Sequence, residues 1–309
     1  MSSGKPTNIA ASVRQKLLNL ARDTSRPFSE VLQFYAMERF LYRVSVSEYK
    51  DKLILKGALM LIAWQAPSSR PTTDLDFLGK LSNDPGSVAD MIRAICKTTV
   101  EDDGLVFDSA SVTAESITED ADYMGIRVRL TGKLENARVT MQLDIGFGDI
   151  LIAAPEKIEY PTLLGMPKPV ISGYSRESSI AEKLEAMVKL GMANSRMKDF
   201  YDIWFLSCWF EFEGAVLVEA ISATFDKRGT ALSESPVVFS TDFVESPQKQ
   251  TQWSAFISKN GLTDAPPTIK EVVAEIKSFL KPVIEAIIGH QSAPRVWSAK
   301  TKWNLPSKR

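Results

Sequence analysis

An α+β fold follows from three observations on this chain. Apolar residues recur at helical spacing near its start, a middle stretch alternates with period two, and a proline-rich connector is followed by a run of helices. Ile9, Val13, Leu17 and Leu20 fall on one side of a helix spanning Asn8–Arg22, with Asn8 as N-cap. A second helix, Ser29–Val44, follows Pro27 and carries Val31, Leu32, Tyr35, Phe40 and Leu41 inward. Leu53–Leu55 reads as a buried strand that turns sharply at Lys56-Gly57 into a helix over Ala58–Gln65. The loop Ala66–Thr73 leads into a strand, Asp74–Leu78, and Pro85–Val100 is helical with Val88, Met91, Ile92 and Ile95 facing in.

Period two dominates from Leu105 to Gly148. Strands are expected at Ser111–Thr118, Tyr123–Leu134 and Arg138–Phe147, joined by turns at Glu119–Asp122 and Leu134–Ala137, as an antiparallel meander. In the last strand Val139, Met141, Leu143 and Ile145 share one face, and Thr140, Gln142 and Asp144 share the other. Pro155, Pro161, Pro167 and Pro169 mark the expected domain boundary. Helices then run over Glu177–Ala193, Lys198–Phe210, Glu213–Arg228, Gln250–Lys259 and Ile269–Ile288, before a basic tail from Ser292 that is expected to be loosely held. The organisation predicted is a helical brace over residues 1–50, a catalytic core over 51–165 and a helical lobe over 166–309.

Composition removes several classes of function. Thirty-seven basic against 38 acidic residues, a formal net charge of −1, rule out a polycation that wraps nucleic acid and leave room only for a local basic face. The single histidine, His290, excludes histidine-rich zinc sites and Ser-His-Asp or Cys-His catalysis, so any metal must be held by oxygen. Cys96 and Cys208 lie in apolar helical segments and read as buried thiols of a reducing compartment. Met1–Thr7 is small and polar, and no segment has the ~20 consecutive apolar residues of a membrane helix, so a cytoplasmic protein without membrane contact is expected.

The chemistry concentrates in two stretches. In Arg70-Pro71-Thr72-Thr73-Asp74-Leu75-Asp76-Phe77, strand alternation puts Asp74 and Asp76 on one face and Leu75 and Phe77 on the other. Two neighbouring carboxylates repel unless a cation sits between them, and Asp144 on a later strand could complete a set of three able to hold two Mg²⁺ ions for phosphoryl or nucleotidyl transfer. Gly57 would let the backbone approach a phosphate near a helix start. Alone, such an acidic pair is more often a solvated strand face. The second stretch holds Lys183 in mid-helix and Asp199 and Asp202 at i, i+3, with Arg196 and Lys198 beside them. Alone, a mid-helix lysine usually snorkels and a helical charge run is usually solvated.

The motifs do not stand alone. Val13–Leu18, Glu38–Arg43, Leu55-Lys56-Gly57-Ala58-Leu59, Arg70–Phe77, Glu182-Lys183-Leu184-Glu185-Ala186, Arg196–Asp202 and Gln252–Phe256 occur in this order along the chain. Together they resemble the AbiEii/AbiGii toxins, nucleotidyltransferases of type IV toxin–antitoxin systems related to the MenT toxins. The resemblance implies a polymerase-β-like nucleotidyltransferase lobe with a mixed or antiparallel sheet and a helical C-terminal lobe, with nucleotide and metals held in the cleft between. It implies catalytic roles for Asp74, Asp76, Lys183, Asp199 and Asp202, and metal ligation by Asp74, Asp76 and, less generally among such toxins, Asp144. Nucleotide contacts are implied for Lys56, Gly57, Ala58, Arg70, Thr72, Lys183 and Lys198, with Ala58 in place of the hydroxyl or second glycine usual there. The implied reaction transfers a nucleoside monophosphate from an NTP, with Mg²⁺ or Mn²⁺, to the 3′ end of tRNA, and implies a cognate antitoxin. An acceptor RNA would need a basic surface, for which Lys168, Arg176, Lys189, Arg196 and Lys198 are candidates, extended by Arg295, Lys300, Lys302, Lys308 and Arg309. The alternatives are a nucleotide-binding protein without turnover and a transferase that acts on protein.

Overall fold

A computed structural model describes residues 8–67, 70–119, 123–149, 155–289 and 291–303. His290, the turn residues 120–122 and the last tail residues, Lys308 and Arg309 among them, lie outside these. The described residues up to Gly148, with Pro155–Tyr174, form one compact unit, and Asp149 with those from Ser175 onward form a second.

In the first unit, helices α1 (Ile9–Asp23) and α2 (Phe28–Val46) precede strand β1 (Leu53–Lys56), the short helix α3 (Leu59–Ala63) and strand β2 (Asp74–Gly79). Helix α4 (Pro85–Cys96) leads to three long strands, β3 (Leu105–Glu119), β4 (Tyr123–Leu134) and β5 (Ala137–Phe147), and then to the short strands β6 (Glu156–Glu159) and β7 (Val170–Gly173). Local signals set the helix starts. The Asn8 side chain accepts from the Ala11 amide at 2.9 Å, and Asp84 accepts from the Ser87 amide at 2.7 Å just before Pro85.

The seven strands form one mixed sheet in the order β3-β4-β5-β2-β1-β7-β6. The predicted meander is present as β3, β4 and β5, antiparallel to one another, but β2 joins β5 in parallel and β1 pairs antiparallel with β2. The proline-rich connector does not simply separate two lobes, because its ends supply β6 and β7, which extend this sheet beyond β1. Ile158 and Ile171 pair across those strands, and burying Ile171 favours their addition to the sheet.

One face of the sheet is apolar. Leu55, Phe77, Ile145 and Ile126 are register neighbours across β1, β2, β5 and β4 and are all buried, as are Leu75, Leu143 and Val128 one rung on. These residues join α2 and α4 in one hydrophobic core with Tyr35, Phe40, Val88 and Ile92. A buried ion pair ties α2 to the approach to β3. Arg43 donates to both Asp103 oxygens at 2.7 and 3.1 Å and to the Leu105 carbonyl at 3.0 Å, while the Tyr35 hydroxyl donates to the Asp103 carbonyl at 2.7 Å.

The second unit is helical. It contains α5 (Arg176–Leu190), α6 (Met197–Trp209), strand β8 (Phe212–Glu213), α7 (Gly214–Arg228), α8 (Thr241–Val244), α9 (Pro247–Asn260), α10 (Ile269–Ile288) and strands β9 (Val296–Ser298) and β10 (Lys302–Trp303). The tail is not loosely held as far as Trp303. Strand β9 pairs with β8 and β10 pairs with β9, Trp297 is fully buried against Phe279, and the two indole N–H groups donate to the Ser207 and Phe279 carbonyls at 2.8 Å. Two indoles bury far more apolar area than the basic residues around them cost, which is why a tail of basic composition folds back. No helix among the described residues is long and apolar enough to cross a membrane.

Two outcomes follow. Asp103→Asn removes the charge opposite a buried guanidinium and is expected to cost about 3 kcal/mol, read as a lower urea midpoint with an unchanged slope. Burial pushes the Cys96 thiol up to about 12, which leaves a thiolate fraction on the order of 10⁻⁴ at pH 8. Iodoacetamide is therefore expected to spare Cys96 in the native protein and to label it on unfolding, as read by mass spectrometry.

Candidate active site

The face of the sheet opposite the helices carries the charged residues of β2. Asp76 on β2 is the register neighbour of Lys56 on β1 and of Asp144 on β5, and Asp144 is in turn the neighbour of Arg127 on β4. Strand alternation puts register neighbours on one face, so a single row reads Arg127, Asp144, Asp76, Lys56 across four strands. Asp74 lies two residues before Asp76 on the same face, in register with Gln142. Both aspartates are partly buried, and Asp76 lies between the buried Leu75 and Phe77. Like charges side by side on a sheet destabilise it, and here the two central carboxylates of the row are flanked by one cation at each end.

Gly57 follows Lys56 with φ of +73°, in the left-handed region where a side chain is strained. A Cβ there would lie 2.0 Å from Asp76 Oδ2. The glycine therefore serves a close approach of backbone to carboxylate, and the chain turns here into α3, with buried Ala58 at the cap position. Thr72 and Thr73 border Asp74. The Thr72 hydroxyl lies 3.4 Å from the Asp74 backbone amide and carbonyl, and the Thr73 hydroxyl lies 3.3 Å from Asp74 Oδ1. Gln33 on α2 donates to the Thr73 carbonyl at 3.1 Å, which fastens the approach to β2. Arg70, at the start of that approach, is partly buried.

Asp144 is met by an arginine. Its two oxygens accept from Arg127 Nε and Nη2, both at 2.8 Å, and Gln142 adds a longer contact of 3.3 Å. Among the described residues no three acidic, histidine or cysteine side chains are placed to hold a metal ion, and Asp144 is engaged by Arg127. The physical reason is the antiparallel partner. Arg127 sits directly across from Asp144, and a bidentate guanidinium–carboxylate pair is among the strongest of charge-assisted hydrogen bonds. Sequence reasoning missed Arg127, although the alternation of Arg127 and Arg129 with Ile126, Val128 and Leu130 was visible.

The second unit gathers the residues of the other predicted stretch. Lys183 on α5 reaches Asp202 at 2.9 Å and Asp199 at 3.6 Å on α6, and Arg196 donates to the other Asp199 oxygen at 2.8 Å. The two carboxylates are 1% and 3% exposed and the lysine 14%. The lysine is therefore not a solvated snorkelling chain. Two acids at this depth are tolerable because two cations meet them. Lys198, the next predicted nucleotide contact, is exposed.

The neighbours of Lys183 on α5 form a second knot. Arg228 at the end of α7 reaches Glu185 at 2.7 Å, Asp149 at 3.0 Å and Glu182 at 3.8 Å, and the Thr230 hydroxyl donates to Glu185. Burial pulls against the Arg228 charge, but the Glu182 and Asp149 carboxylates and hydrogen bonds to Glu185 and Asp149 raise its pKa above the ordinary arginine value. Arg228 and Asp149 carried no sequence signal, because nothing local relates them to α5.

Of the predicted basic surface, Lys168 is paired with Glu159 at 3.1 Å, Arg196 with Asp199, and Lys302 with Glu275, while Arg176 lies over the Phe210 ring at 4.7 Å. Much of that positive charge is locally compensated.

No curated protein matches the sequence. Similar solved structures include two from Helicobacter pylori. A candidate nucleotidyltransferase from H. pylori is 15% identical, with 85% of this chain and 98% of that chain covered at a TM-score of 0.44. JHP933 from Helicobacter pylori is 14% identical, with 82% and 90% covered at a TM-score of 0.40. The model of the nucleotidyl transferase AbiEii toxin family, of type IV toxin–antitoxin systems, matches residues 39–275, which takes in both acidic stretches and the Gly57 turn. The chain belongs to the AbiEii family of nucleotidyltransferase toxins.

Proposed function

We propose that this protein transfers a nucleoside monophosphate from an NTP to the 3′ end of tRNA, with a divalent cation, Mg²⁺ or Mn²⁺, held by Asp74 and Asp76. The observation that carries the reading is the pairing of Asp74 and Asp76 on one face of β2, with Asp76 packed against the Gly57 turn, in a member of a nucleotidyltransferase family. The donor set fits such an ion. Mg²⁺ prefers oxygen ligands and is commonly bound through one or two carboxylates together with substrate phosphates, so a full protein cage is not needed. When bound, the cation would supply charge neutralisation at the triphosphate and acidify the attacking hydroxyl.

The chain's own residues would do the rest. Gly57, lacking a side chain and turning at positive φ, allows the backbone to lie close to a phosphate. Lys56 shares the face of Asp76 and would contribute a positive charge there, with Arg70 and Thr72 near the start of β2. Lys183 is the proposed triphosphate lysine, its ammonium fixed by Asp199 and Asp202 in the second unit. The reaction forms a bond from the acceptor 3′ oxygen to the α-phosphorus and breaks the bond from that phosphorus to the bridging oxygen, releasing pyrophosphate. The hydroxyl proton passes to solvent or to a carboxylate. The tRNA acceptor, the cognate antitoxin and a cytoplasmic site of action rest on the family to which the chain belongs.

The test is incubation of purified protein with each α-labelled NTP, Mg²⁺ and total RNA. Label is expected in the tRNA band, lost on adding EDTA and lost in Asp74→Ala, which should also no longer inhibit growth. Label on protein instead of RNA, or growth inhibition that survives Asp74→Ala, would sink the proposal. A second outcome concerns the turn. Gly57→Ala forces a methyl group into the space of the Asp76 carboxylate, and transfer is expected to fall by at least about 100-fold. The melting temperature should drop only modestly, as a single strained residue costs about 1–3 kcal/mol.

A further inference from the structure

Within the charged row of the first unit, Asp144 is held by its cross-strand neighbour Arg127. Both of its oxygens accept from one guanidinium at 2.8 Å, and the pair is sheltered, with Asp144 13% and Arg127 30% exposed. The two residues face each other in the antiparallel register of β4 and β5, so the backbone ladder itself delivers the guanidinium to the carboxylate. A divalent ion placed on Asp144 would stand a few ångströms from a fixed positive charge, and repulsion at that distance in a partly buried face is severe. Lengthening the pair to admit the ion would give up two charge-assisted hydrogen bonds at 2.8 Å.

We infer that Arg127 withholds Asp144 from metal, so that the protein's carboxylates hold one divalent cation, through Asp74 and Asp76. Arg127 then stands as a fixed positive charge where a set of three carboxylates would place a second ion. The inference rests on the reading of Asp74 and Asp76 as metal ligands. Asp144 acts on this account as a positioning residue. It takes two of the five N–H donors of the guanidinium and sets the plane of the rest. The same charge that a second ion would bring is built into the chain, at a position that neither chelators nor metal supply can change.

The experiment counts bound Mn²⁺ per chain by equilibrium dialysis and electron paramagnetic resonance, in the presence of the α,β-methylene analogue of each of the four ribonucleoside triphosphates. The full-length wild-type protein is expected to bind one ion. Asp144→Asn should bind one ion with unchanged affinity, whereas Arg127→Gln, which frees the Asp144 carboxylate, should bind two. The double variant should return to one. A wild-type count of two with one lost in Asp144→Asn, or a folded Arg127→Gln protein that still binds one, overturns the inference. Thermal melting reports whether each variant is folded, and the Asp144→Asn arm decides by itself if Arg127→Gln melts early. Asp74→Asn separates this inference from the reading beneath it. If that variant binds Mn²⁺ as tightly as wild type, the acidic pair is not the metal site, whatever Asp144 does.

Discussion

The row Arg127, Asp144, Asp76, Lys56 is the constraint on which the first unit depends. Two acids meet in register where parallel β2 joins β5, and neither could be placed there without a counter-charge. Arg127 neutralises one side of the row, and Lys56 shares the other end with the Gly57 turn. The opposite face is apolar at neighbouring rungs, with Leu55, Phe77, Ile145 and Ile126 sealed by helices. Register errors are therefore heavily disfavoured, because a slip by one residue would carry Asp76 and Asp144 into the core and Phe77 and Ile145 out of it. One ladder thus fixes both the packing and the chemistry.

The second unit solves a similar problem differently. Helix α5 presents Glu182, Lys183 and Glu185 within a single turn, and each finds an opposite charge from elsewhere in its own unit. Lys183 is met by Asp199 and Asp202 of α6, and the two glutamates share Arg228 of α7. Ion pairs at this depth add little net stability relative to apolar packing, but removing one member leaves a buried charge stranded. They hold α5 in one rotational setting against two helices.

Much of the fold was legible. The α2 periodicity, the three-stranded meander and the helices after residue 175 appear with boundaries shifted by only a few residues at most ends. Asp74 and Asp76 lie on one strand face, and Asp199 and Asp202 meet Lys183, because alternation and i, i+3 spacing are local properties of the backbone. The misreadings were non-local. Arg127, the partner of Asp144, went unread because it lies 17 residues away across a hairpin. The connector read as a plain boundary because prolines conceal two short strands whose partners are distant or adjacent only in space. The tail read as solvated because its charges are visible in sequence and the pocket for Trp297 is not.

By itself, the sequence determined which residue types are present at which spacing. A single histidine, an acidic pair on one strand face, a glycine turn before it and a lysine on a later helix were all legible from composition and local periodicity. Tertiary structure alone decided which charges are compensated. Whether an aspartate is a ligand or the partner of an arginine depends on strand order and register, and these are set by burial of the whole apolar face. For Asp144, the neighbouring strand supplies Arg127, which forms a bidentate pair with the carboxylate at 2.8 Å.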